Sequence, residues 1–89
     1  ELHSNSLVNV YPNPFSEFTT IDCSNIQRSS SDVMSFHLYN VLGKEVAVIA
    51  NITSDKAILK KDFASGIYFY RIVLNGNGVA AGKLTVLTD

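Results

Sequence analysis

The sequence predicts an all-β domain, a seven-stranded antiparallel sandwich built as one unit. Three observations carry this. Apolar residues recur with period two, not 3.6. Turn-forming residues divide the 89-residue chain at short intervals. β-Branched and aromatic residues concentrate between those turns, as a half-buried pleated surface favours.

Strands are predicted over 8–11, 18–22, 33–41, 45–50, 56–61, 67–74 and 79–87. The first stops at Tyr11-Pro12-Asn13-Pro14, because two prolines remove ladder donors. The segment 24–32 is polar, with three serines at its centre, and reads as a mobile loop. In the third strand Met34, Phe36 and Leu38 point one way, and Ser35, His37 and Tyr39 the other. Asn40-Val41-Leu42-Gly43-Lys44 then supplies a glycine where a tight hairpin needs positive φ. The sixth strand follows Ala64-Ser65-Gly66. It sets Tyr68, Tyr70, Ile72 and Leu74 against Ile67, Phe69, Arg71 and Val73, and the arginine marks the second face as the wetter one. Asn75-Gly76-Asn77-Gly78 is the strongest hairpin signal.

These strands divide naturally into two sheets, with Phe15, Phe36, Phe63, Tyr68 and Tyr70 filling the space between them. No Cys–Trp–Cys pattern occurs. The expected architecture is therefore immunoglobulin-like without being an antibody-type domain.

Composition removes whole classes of function. With 46% hydrophobic and 17% charged residues, this is not a disordered tail. A net charge of −1 gives no global field to attract nucleic acid or an anionic membrane. No apolar run reaches the roughly 18–20 residues that a bilayer-spanning helix needs. The start, Glu1-Leu2-His3-Ser4-Asn5-Ser6, is neither a signal peptide nor an initiator methionine. The chain is expected to be a piece of a longer protein, with 1–7 a linker remnant and 8–89 one domain.

Chemistry-bearing groups are sparse. Of the two histidines, His3 and His37, only His37 makes a thiol–imidazole pair with Cys23 worth testing, with Asp22 or Asp32 as orienter. Nothing around Cys23 resembles a cysteine-protease signature, so the plainer reading is a small hydrophobe at a strand end. The carboxylates are scattered, and no calcium-loop pattern occurs. Gly76, Gly78 and Gly82 lie between two strands, not before a helix, which removes phosphate cradling. Asn51-Ile52-Thr53 is a chance sequon. No cofactor, metal or catalytic residue is expected. Exposed aromatics would signal a carbohydrate-binding module, and Tyr39 and Tyr11 are the available ones.

Four segments fall in order along the chain. They are Val10-Tyr11-Pro12-Asn13-Pro14-Phe15, then Leu38-Tyr39-Asn40-Val41-Leu42-Gly43-Lys44-Glu45-Val46, then Ala64-Ser65-Gly66-Ile67-Tyr68-Phe69-Tyr70-Arg71-Ile72, then Gly82-Lys83-Leu84-Thr85-Val86. In this order the set resembles the C-terminal sorting domain of the type IX secretion system of Bacteroidetes. The resemblance implies a non-catalytic export signal, recognised by an outer-membrane translocon and usually removed by a sortase-like cysteine peptidase. It implies an N-terminal cargo domain on the same chain, passage through the periplasm, and a final place at the cell surface or outside. It implies no nucleic-acid partner and no direct membrane insertion, and a monomer is expected. The matching motif positions are Pro12, Asn13, Pro14, Gly43, Lys44, Gly66, Tyr68, Arg71, Gly82, Lys83, Leu84, Thr85 and Val86. The ending Leu87-Thr88-Asp89 departs from the basic terminus of many members. The last strand is expected to offer free backbone groups for strand addition. Competing expectations are a carbohydrate-binding module and a spacer of fibronectin type.

Overall fold

The computed structural model describes residues 7–88. The expected linker, 1–7, lies outside the described residues apart from Leu7. Seven strands form: β1 (Asn9–Tyr11), β2 (Phe18–Asp22), β3 (Met34–Tyr39), β4 (Glu45–Ile49), β5 (Lys56–Lys60), β6 (Gly66–Leu74) and β7 (Asn77–Val86). Every pairing is antiparallel. One sheet has the order β1-β2-β5 and the other β4-β3-β6-β7. The chain crosses between the sheets after β2, β4 and β5, as in the predicted immunoglobulin-like sandwich.

The core is the set of inward positions that period two selects. Ile21, Cys23, Met34, Phe36, Leu38, Ile72 and Leu84 are fully enclosed. Of the five aromatics expected inside, Phe15, Phe36, Tyr68 and Tyr70 are buried, while Phe63 is half-buried and packs on Tyr68 at 5.1 Å. Among the described residues no buried side-chain polar atom lacks a partner. Buried Thr19 meets this requirement by donating from Oγ1 to the Pro12 carbonyl at 2.7 Å.

Turn chemistry fixes the strand ends. β3 stops at Tyr39, two residues before the expected end. The Asn40 Oδ1 atom accepts from the Leu42 and Lys44 N–H groups and closes the turn there. Gly43 completes that turn at φ +85°. Between β6 and β7 the turn is Asn75-Gly76 alone, with φ of 52° and 83°. Two positive φ values make the type I′ geometry that suits the strand twist. Asn77 and Gly78 therefore belong to β7, which starts two residues earlier than expected. The register slips between Ile72 and Val73, and Val79 is the extra residue of the bulge.

The polar segment 24–32 carries ties to the rest of the sandwich that its composition does not predict. Arg28 donates to the Ile52 and Ser54 carbonyls at 2.5 and 2.7 Å. Asp32 accepts from the Ser29 N–H and from Asn75 Nδ2, and Ile26 is buried. A forked guanidinium 24 residues from one partner is a long-range contact that local composition does not display.

Candidate functional site

The chain leaves the first sheet at Tyr11, runs through Pro12-Asn13-Pro14, and reaches the edge of the second sheet at Phe15. There Phe15 forms a parallel bridge with Val86. The Phe15 N–H donates to the Thr85 carbonyl at 3.1 Å, and the Leu87 N–H donates to the Phe15 carbonyl at 2.8 Å. Asn13 completes the seam with its side chain. Its Nδ2 donates to the Lys83 carbonyl, and its Oδ1 accepts from the Thr85 N–H, each at 3.0 Å. An asparagine side chain offers one donor and one acceptor, as a backbone amide does. Asn13 thus stands in for a strand residue where the flanking prolines have no N–H to give.

This seam joins the opening and closing motifs, 70 residues apart, into one corner. It also corrects the expectation of a free terminal strand. The outward-facing backbone groups of β7 from the Lys83 carbonyl onward are taken, and Phe15, 2% exposed, is anchored in the core beside them. β7 is nevertheless the last strand of its sheet. By the alternation of the ladder, the Ala81 N–H and carbonyl face the open edge.

The remaining motif residues separate by direction. Gly66 takes φ +145°, which only glycine adopts readily. Tyr68 is buried and donates from its hydroxyl to the Ala64 carbonyl at 2.5 Å, the corner contact found at the start of this strand in immunoglobulin-like domains. Gly82 lies directly opposite Tyr70, and a Cβ there would stand 2.5–2.7 Å from the Tyr70 ring and hydroxyl. The glycine is a seat for the ring, whose burial also pushes the Tyr70 phenol up. Leu84 and Val86 are core. Gly43 serves its turn. Lys44, Arg71 and Lys83 point to solvent, and Thr85 is half-exposed.

Three of these outward residues share the outer face of the β4-β3-β6-β7 sheet. The register places Glu45, Tyr39, Phe69 and Lys83 in one row across the strands, and Val48, His37, Arg71 and Ala81 in the next. Ile67 and Thr85 lie beside the first row. The Arg71 guanidinium rests over Gly78, where a Cβ would stand 2.8 Å from Nη2.

Cys23 and His37 are not a dyad. Cys23 is 0% exposed in the core, and burial pushes its thiol up. His37 lies on the far side of the second sheet. Its Nε2 meets Ser35 Oγ at 2.7 Å, its Nδ1 meets Glu45 Oε1 at 2.8 Å, and its ring stacks near Tyr39. This bonding order resembles a serine–histidine–carboxylate relay. However, β3 is paired on both sides, so its N–H groups are committed to the ladder and none is aimed at a developing oxyanion. The set works as a cross-strand tie between β3 and β4. Sequence reading missed it because Glu45 lies across a hairpin from its partner.

The family model described as "Secretion system C-terminal sorting domain" matches residues 9–86, nearly the whole chain. No curated protein and no solved structure matches it.

Proposed function

The chain belongs to the secretion system C-terminal sorting domain family, and on that ground we propose that the type IX outer-membrane translocon reads it as the export address of a cargo on the same chain. The family is a sorting signal, not a catalytic one, and its export leads to the cell surface or outside. In this reading a sortase-like cysteine peptidase then removes the domain upstream of β1. The observation that carries the proposal is the family match across all seven strands. The Asn13–Lys83–Thr85 seam supports it, because it makes one folded corner from the two motifs farthest apart in the chain.

The division of the motif by direction assigns roles within this reading. Gly66, Tyr68, Gly82, Leu84, Val86, Gly43 and the Pro12-Asn13-Pro14 segment build the shape. Arg71, Lys83, Thr85 and Lys44 are the motif side chains that a partner can touch.

A fusion of 1–89 to a periplasmically targeted fluorescent protein tests the proposal in a type IX-competent bacterium. Reporter is expected outside the cell, absent there in a translocon-deficient strain, and lost from the medium on deletion of 82–89. An intact, folded fusion held in the periplasm of the competent strain overturns the proposal.

A further inference from the structure

We propose that the outer face of the β4-β3-β6-β7 sheet is a protein-docking surface, and that its partner presents an apolar patch rimmed by carboxylates. The inference rests on the sorting reading and names the surface and chemistry through which it acts.

Four observations lead to it. The face has an apolar centre of Tyr39, Phe69 and Ile67 on its two middle strands, with Phe69 and Ile67 each 47% exposed, and Val48 is exposed on the edge strand β4. Arg71 and Lys83 flank that centre, and among the described residues neither has a carboxylate partner. The acidic residues Glu17, Asp22, Asp32, Asp55 and Asp62 all lie on other strands or in loops. Among the described residues the one carboxylate on this face is Glu45, which is bonded to His37. A chain with a net charge of −1 therefore turns a locally cationic, aromatic surface outward.

The same geometry favours a protein over a polysaccharide. Ser35, His37 and Glu45 spend hydrogen-bonding groups on one another, and the strongest open donors beside Phe69, those of Arg71 and Lys83, are charged and match carboxylates. What remains open is apolar and cationic.

The opposite outer face supplies the control. Tyr11, Phe18 and Ile58 are equally exposed there, with Lys60 beside them, and Lys56 faces Asp22 across the strands. It carries none of the outward motif residues Arg71, Lys83 or Thr85. The test uses the reporter fusion with Phe69→Ser, or with Arg71→Glu and Lys83→Glu together. Ile58→Ser and Lys60→Glu are made in parallel, and the urea midpoints of all variants are compared. Extracellular reporter is expected to fall at least tenfold for the first pair and to stay within twofold for the second, at matched stability. An aromatic photo-crosslinking residue in place of Phe69 in the otherwise unchanged fusion is expected to give a protease-sensitive adduct that the charge reversals remove. Equal export of both pairs overturns the proposal while leaving the sorting reading standing. A protease-resistant, polysaccharide-sized adduct also overturns it. Failure of the unmodified fusion to leave the cell overturns the sorting reading itself, and this inference with it.

Discussion

The two halves of β7 have the same ladder on one side and opposite surroundings on the other. From Lys83 to Val86 the outer edge is sealed by Asn13 and Phe15. From Asn77 to Ala81 no described residue pairs with it, and it is twisted by the bulge at Val79. An unprotected edge strand invites pairing with other chains, and a bulge and a side-chain seam are two ways of limiting that. The contrast teaches that the terminal motif is a locked edge. Its backbone is already spent, so its outward side chains are what it still has to offer.

The largest expected effect comes from breaking the sealed half at its anchor. Phe15→Ala removes a ring that is 2% exposed, and it should lower stability by about 3–5 kcal/mol in urea unfolding. Glycine substitutions sharpen the contrast within one strand. Gly82→Ala drives a Cβ into the buried Tyr70 ring and should cost about 1–3 kcal/mol. Gly78→Ala meets only the exposed end of Arg71, and its unfolding midpoint should stay within about 0.5 kcal/mol of the parent. Equal costs for the two would break the comparison. Asn13→Ala loses two exposed hydrogen bonds and should cost about 1 kcal/mol.

The smallest effect is electrostatic and lies near the other half. The Asn75 amide and then the Ser29 N–H hold the Asp32 carboxyl below its ordinary range, and the Ser24 hydroxyl and N–H do the same for Asp22. A folded-state value below the unfolded one adds stability above about pH 4, and that stability is lost as pH falls through the folded value. Urea midpoints measured between pH 5 and 2 should therefore drop less steeply for Asp32→Asn than for the parent chain.

Most of this architecture was legible in the sequence because period two is a local signal. The alternation Met34, Phe36, Leu38 and the side assignment of Arg71 correspond directly to faces of the second sheet. The motif residues were legible as positions but not as roles. Gly82 reads as part of a recognition string, and only the register opposite Tyr70 reveals a packing duty. Asn13 reads as a turn residue between prolines, and its partners lie 70 and 72 residues away. Arg28 and Glu45 act through contacts of the same non-local kind. The reading of Cys23 as a small hydrophobe at a strand end holds, because Cys23 is enclosed in the core while His37 faces outward on the second sheet.

Amide hydrogen exchange along β7 tests the locked edge most directly. The Thr85 and Leu87 amides should be protected in the native chain while the Ala81 amide exchanges rapidly, and Asn13→Ala should release Thr85 without changing Ala81. Equal exchange at Thr85 and Ala81 in the parent chain, or protection of Thr85 that survives the loss of Asn13, would contradict the account.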